Sequence, residues 1–537
     1  MRKIWTEPRS CKGFSGNNSK HLFRSAQSAS IGREFVICFS YDFQGISQFS
    51  NAQSPTIKTF KIDSLHVGLV SPFLCPKSLS PMTEPPSKPP DIDSLRMPHD
   101  GTPPRGTPRW IAPSRLQTLI DILRSENYRV LAPTLDQHAI VYDEITSIGQ
   151  LPKGYCDSQA PAVYQLSQTP SAPENQKLFH FNLGPHSPKQ FLFPPNAILP
   201  GPEKPGPEKA GPEKADSNPT SDSAREPQLV QPMAILGLRA CELAAIAIQD
   251  RVLMSPPFID SQYALRRKSL FVIAVQCTTA ASTCFCPSMN TGPELPEPEL
   301  LGPELLGPDA NPNTYDLALT ELVPSSHSQF AHGFLIQAGS RRGQVLLDQL
   351  PSEEPTPEIL EAKKQTIEAV HKKIQRAMPP GPSISGPSNI DGQSGDLRDA
   401  LLARLNHPHW QNVADRCLSC ANCTMVCPTC FCSSVDEVSD LLNESSIRQR
   451  HWDSCFNPDF SHTSGAPVRN TVRSRYRQWL THKLATWFDQ FDTSGCVGCG
   501  RCITWCPVGI DLTQEVAKLL EPSDAPLLNV PPRLHHR

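Results

Sequence analysis

The sequence is short of charge and lacks long apolar runs. Charged residues make up 19% of its 537 residues, below the share of about 25% usual in globular domains. The charges nearly cancel, leaving a formal net charge of -3. That balance argues against a general nucleic-acid binder, whose domain is strongly basic. The best apolar stretches lie at 234–248 and 270–275. Arg239 and Glu242 break the first, and the second is far too short. Neither reaches the roughly 18 uninterrupted apolar residues that a membrane span needs. Behind Met1-Arg2-Lys3 there is no apolar core of a secretory signal. These absences predict a soluble protein of a reducing compartment, the bacterial cytoplasm being the simplest choice.

Nucleotide and hydrolytic signatures are missing as well. The sequence holds no complete Gly-x-Gly-x-x-Gly and no Gly-Lys-Ser/Thr phosphate loop. Ser, His and Asp are scattered without a nucleophile elbow. No two cysteines are adjacent, which disfavours disulfide-reducing iron-sulfur enzymes built on Cys-Cys-Gly. No pair of Cys-x2-Cys motifs flanks the chain ends, as a nickel-iron site requires. No autonomous catalytic site is visible.

Proline and cysteine are present in surplus. Pro accounts for 57 residues, about twice average usage, which predicts that much of the chain lies outside a packed core. Cys accounts for 19. In a chain this long, cysteines bunched at tight spacings read as metal ligands rather than disulfides.

Residues 1–110 show no sustained periodicity and read as a disordered extension. Met82 and Met97 are alternative starts. An α/β domain is expected over 111–348. Its first helix follows Ser114 and carries Leu116, Leu119, Ile120 and Leu123 at i, i+3, i+4, i+7. Strands are expected at 129–131, 139–142 and 270–276, and a helix at 238–254. Low-complexity Gly-Pro-Glu-Lys and Gly-Pro-Glu-Leu insertions interrupt this domain at about 200–228 and 291–312. A charged helix and a Pro/Gly linker occupy 349–395. A mainly helical domain of ferredoxin type spans 396–523, with a closing helix at 512–520 and a tail at 524–537.

Two runs carry the chemistry. Cys417-x2-Cys420-x2-Cys423-x3-Cys427 is followed by Pro428, and Cys496-x2-Cys499-x2-Cys502-x3-Cys506 by Pro507. Three thiolates at these spacings wrap a loop round three corners of a cubane. The fourth, set off by Pro, serves the other cluster. The expected assignment is therefore crossed. One [4Fe-4S] takes Cys417, Cys420, Cys423 and Cys506; the other takes Cys496, Cys499, Cys502 and Cys427. Structural zinc is the competing reading, but zinc usually takes two separated Cys pairs.

Cys241, Cys277, Cys284 and Cys286 are candidates for a third [4Fe-4S]; the alternative is a set of buried apolar thiols. Cys430, Cys432 and Cys455 line the first cluster or stand behind it, and spacing does not decide which. Cys156 is isolated and reads as structural. Cys11, Cys38 and Cys75 receive no role. The basic stretch Arg469, Arg473, Arg475, Arg477, Lys483 either docks an acidic partner, packs over a cluster or forms a solvated helix face.

The run from Arg416 through Cys417, Cys420, Cys423, Cys427, Cys430 and Cys432 resembles the beta subunits of cytoplasmic sulfhydrogenases. It equally resembles the A subunit of anaerobic sulfite reductase. The likeness continues through Trp452-Asp453-Ser454-Cys455 and the second run. Upstream, Leu238-x-Arg239-x-Cys241-Glu242-Leu243 is similar to the family's Arg-x-Cys-Asp-Leu segment, with Glu242 in place of Asp. Asp250, Asp260, Tyr263, Arg266 and Arg267 fit the same block, as do Cys284-Phe285-Cys286 and Tyr315-Asp316-Leu317. The resemblance implies an electron-transfer subunit of a cytoplasmic oxidoreductase. It would pass single electrons between a flavin/NAD(P)H subunit and a catalytic subunit of nickel-iron hydrogenase or sirohaem type. Two other classes remain open: an iron-sulfur enzyme with an open-site cluster, and a zinc-stapled interaction protein.

Overall fold

A computed structural model of the chain describes residues 107–169, 176–182, 184–199, 231–296, 315–324, 328–380, 396–440 and 445–532. The extension read over 1–110 lies almost wholly outside them, with Cys11, Cys38 and Cys75. So do the first insertion and most of the second.

The strands are β1 (Arg109–Ile111), β2 (Arg129–Asp136), β3 (Ala139–Glu144), β4 (Tyr155–Ala160), β5 (Val163–Gln168) and β6 (Asn196–Leu199). They continue as β7 (Met233–Leu238), β8 (Leu270–Val275), β9 (Leu317–Leu322), β10 (Gly333–Ala338), β11 (Ser433–Asp440) and β12 (Ser445–Trp452). Seven make one sheet in the order β1-β10-β9-β8-β7-β2-β3. Its inner strands β2, β7, β8 and β9 are parallel, and β10, β1 and β3 join by antiparallel pairing.

β7 and β8 are buried along their whole lengths, as parallel strands covered on both faces must be. Period-2 alternation splits β8 between two cores. Phe271, Ile273 and Val275 face one; Leu270, Val272 and Ala274 face the other. The Arg115–Ser125 helix fills the first core with Leu116, Leu119, Ile120 and Leu123, as its spacing predicts. Ser114 makes no capping hydrogen bond, and its backbone is already helical. Four buried side chains at roughly 2 kcal/mol each outweigh a missing cap of about 1 kcal/mol.

The C-terminal half is mainly helical. The Val472–Thr481 and Trp487–Phe491 helices are joined by a π-helical turn, His482–Thr486. With Trp410, Phe456, Tyr476, Trp479 and Leu480 they enclose a third core, and Phe285 reaches into it from the other half of the chain. The closing helix is Leu512–Leu520. The β11–β12 hairpin takes β6 as its third strand. The two halves therefore share both a core and a sheet.

Candidate metal centres

The two cysteine runs fold as matching loops. Cys417-x2-Cys420-x2-Cys423 leads into the short Asn422–Met425 helix, and Cys496-x2-Cys499-x2-Cys502 into Arg501–Thr504. Ser419 and Ala421 have φ of 49° and 65°; Gly498 and Gly500, at the equivalent positions, have 64° and 76°. These left-handed residues curl each loop around its thiols.

Cys427 of the first run neighbours Cys496, Cys499 and Cys502 of the second. Cys417, Cys420, Cys423 and Cys506 border one apolar cavity, with Cys502 at its inner wall. Burial, and then the neighbouring Cys417, Cys420, Cys506 and Cys427, raise the Cys423 thiol well above its ordinary range. Cys502 is raised by burial and then by Cys496, Cys499, Cys427 and Cys423. Burial pushes Cys496 up to about 12, partly opposed by Lys483. Binding a metal displaces the protons such thiols hold. Cys427 goes the other way. A hydrogen bond with Cys430 is the largest cause, and Lys483 and Thr429 also hold it well below the usual thiol range against burial.

The donor set suits a sulfide-rich group. Backbone N–H groups of Ser419 and Gly498 each donate to a cysteine sulfur at 3.4 Å, and that of Ile510 donates to Cys506 Sγ at 3.3 Å. Lys483 Nζ donates to Cys427 Sγ at 3.3 Å. Ser419 Oγ, Tyr476 Oη and Trp479 Nε1 are buried without a protein partner, and all three residues line the first cavity. Such donors match the sulfurs of a cubane, which accept hydrogen bonds that tune its potential.

Cys241 follows β7 and Cys277 follows β8, at the carboxyl ends of adjacent parallel strands, the usual ligand-binding end of such sheets. Cys284 and Cys286 lie on the loop that follows. Cys286 and Cys277 are electrostatic neighbours of Cys241, and Cys284 and Cys277 of Cys286. Burial pushes Cys284 up to about 12.

This loop lies directly on the second cysteine run. Phe285 N donates to Gly498 O at 2.8 Å, and Thr291 Oγ1 to Val497 O at 2.7 Å. A Cβ on Gly498 would stand 2.6 Å from the Cys286 backbone, and one on Gly500 2.4 Å from Thr283 O. Among the described residues the first run has no such cover: Cys420 is exposed and Leu418 is 63% exposed. The contrast explains glycine in one loop and Ser/Ala in the other.

Arg501 ties the two halves together. Its guanidinium meets Glu242 Oε1 at 2.7 Å, with both side chains almost wholly buried. Glu242 also accepts from Tyr142 Oη at 3.1 Å. The remaining Arg501 Nη1 has no protein partner; Cys499 and Cys241 are among its charged neighbours. Asp250, by contrast, receives Tyr263 Oη at 2.7 Å and Arg267 at 3.0 Å, and Asp260 caps the Ser261–Lys268 helix. Asp316 accepts from Arg342 at 2.9 Å. These acidic groups hold the scaffold rather than the thiols.

Sequence reasoning missed Lys189 and Arg501 and left Lys483 undecided. Lys483 falls seven residues after Tyr476, on that residue's apolar face, which was the available signal. Cys156 sits on β4 with its sulfur 3.4 Å from Ser167 Oγ.

Fold and site together define an iron-sulfur protein of the dicluster class: a family model described as a 4Fe-4S dicluster domain matches residues 416–510. Across 290 residues the chain is 30% identical to sulfhydrogenase 2 subunit beta of Pyrococcus furiosus, a match covering 53% of this chain and 74% of that protein. The chain belongs to the sulfhydrogenase beta-subunit family. No solved structure matches it. Among the described residues no helix is long and apolar enough to cross a membrane.

Proposed function

We propose that this chain is the electron-carrying subunit of a cytoplasmic oxidoreductase. It takes electrons from a flavin/NAD(P)H subunit and delivers them to a catalytic subunit of nickel-iron hydrogenase or sirohaem type. In this reading Cys417, Cys420, Cys423 and Cys506 hold one [4Fe-4S], and Cys496, Cys499, Cys502 and Cys427 hold another. Cys241, Cys277, Cys284 and Cys286 hold a third. Residues 396–523 form the ferredoxin-type part and 111–348 its α/β companion. The observation that supports it is that Cys506 borders the cavity of Cys417, Cys420 and Cys423, while Cys427 neighbours Cys496, Cys499 and Cys502. Clusters bound there supply one-electron transfer, with no bond made or broken in this chain.

The protein's own part is to fix and shield. Phe456, Tyr476 and Trp479 exclude water from the first set. Backbone N–H groups and Lys483 stabilise thiolate charge. The packing of the 284–291 loop on Gly498 shortens the gap between the third set and the ferredoxin pair. Leu418 and Cys420 present the first set to a partner.

The three sets named here should together contribute about eight to twelve iron to anaerobically purified full-length protein, matched by sulfide. It should accept no electrons from NADH or NADPH alone and become reducible when a flavin subunit is added. Direct reduction of the flavin-free chain would overturn the division of labour.

A further inference from the structure

Among the described residues, Cys430, Cys432, Cys455 and the isolated Cys156 remain outside these sets, and the fold collects the first three. β11 begins directly after Cys432, and β12 ends at Trp452, three residues before Cys455. Ser433 pairs with Trp452 at the base of the hairpin, and Asp453 N donates to Cys432 O at 2.9 Å. The hairpin base thus brings Cys432 toward Cys455, each an electrostatic neighbour of the other. Cys430, 9% exposed, completes the group with Cys432 and Cys455 as neighbours.

A buried charge accompanies them. Lys189 is 3% exposed. Its ammonium lies 3.8 Å from the centre of the Trp452 ring and donates to the Thr424 and Met425 carbonyls at 3.4 and 3.3 Å. Cys430, Cys427 and Cys432 are its chief electrostatic neighbours. Among the described residues no carboxylate pairs with it. A lone interior ammonium is costly, and cysteine sulfurs on an anionic cluster would compensate it.

We infer that Cys430, Cys432 and Cys455 hold a further iron-sulfur cluster, with Lys189 as its buried counter-charge. Three protein thiolates suit a three-iron cluster or a cubane with one iron not held by cysteine. A cluster spreads its ligands over separate irons, so cysteines gathered from a loop and both ends of a hairpin suit it. The inference rests on the crossed reading in one respect: Cys427 is left to the ferredoxin pair.

The test starts from a full-length Cys284→Ser/Cys286→Ser chain, so that the proposed third set does not enter the count. That chain should retain about eleven to twelve iron, whereas about eight would overturn the inference. Adding Cys432→Ser and Cys455→Ser should remove about three to four iron and leave the reduced ferredoxin-pair EPR signal in place. An unchanged iron content would show the three thiols to be packing, and stoichiometric zinc lost in their place would exclude a cluster. Cys427→Ser separates the two readings. Loss of the ferredoxin-pair signal supports the crossed assignment. Loss of the additional iron with that pair intact would assign Cys427 here and overturn the three-thiolate set.

Discussion

Lys483 carries a full charge to a place that water barely reaches, 3% exposed and 3.3 Å from the Cys427 sulfur. A donor and a positive charge at a ligand sulfur favour the more negative, reduced state of a cluster. A hydrogen bond to a charged group is worth about 1.5 kcal/mol or more, on the order of 60 mV for one electron. Lys483→Met keeps the bulk and removes both effects. In an EPR-monitored redox titration the midpoint of one ferredoxin cluster should fall by that order while the other holds. Identical potentials would reduce Lys483 to a packing residue. The loop glycines make a second case. Gly500→Ala places a Cβ against Thr283 O at a φ of 76°, and should destabilise by about 2 kcal/mol or more. Ala421→Gly, at the same point of the uncovered loop, should change stability by less than about 1 kcal/mol; anaerobic urea unfolding compares the two. The cysteine spacings were legible in the sequence because local loop geometry sets them. The glycines were visible too, but their reason is a loop more than 200 residues earlier in the chain.

Among the elements, the π-helical turn His482–Thr486 interrupts what is otherwise one helix. It sets His482 against Trp487 and Gln490 while Lys483 faces Cys427. Burial, the largest cause, lowers the His482 imidazole to about 4, below the roughly 6.5 of an unfolded histidine. Between those values the unfolded chain takes up the proton first. The stability that neutral His482 contributes is present above about pH 6.5 and is lost as pH falls toward 4. The melting temperature of the cluster-loaded protein should therefore drop from pH 7.5 to pH 5, and His482→Gln should flatten that drop. An equal drop in the variant would place the acid-sensitive group elsewhere. Apolar periodicity announced the Arg115–Ser125 and Leu512–Leu520 helices and the strand β8. It could not announce β11 and β12. Their sequences, Ser-Ser-Val-Asp-Glu-Val-Ser-Asp and Ser-Ser-Ile-Arg-Gln-Arg-His-Trp, carry little apolar alternation, and β12 finds β6 only through the tertiary fold.

At the scale of the whole molecule, Glu242 and Arg501 decide how the halves meet. The pair is buried at 2.7 Å, and breaking such a pair typically costs about 3–5 kcal/mol. Glu242→Gln should lower unfolding stability by an amount of that order. The cysteines it steadies, Cys241 and Cys499, should lose iron faster to a chelator under anaerobic conditions. A variant as stable and as retentive as its parent would show that the halves are held by their shared core alone. Sequence reading separates an α/β segment from a ferredoxin-type segment because each has its own local pattern. The contacts that join them link residues 259 apart, which no local window contains.

Cys420 is the exposed one among the described cysteines, while the loop of Cys496, Cys499 and Cys502 lies beneath the 284–291 cover. Oxygen diffusing in from solvent should thus meet the protein first at one end. Spoilage in air should then be ordered rather than random, beginning at the Leu418–Cys420 rim and working inward. A briefly aired preparation would be no mixture of sound and ruined molecules. Each molecule would keep most of its colour and lose its terminal contact with the outside, like a wire intact along its length and corroded at the plug.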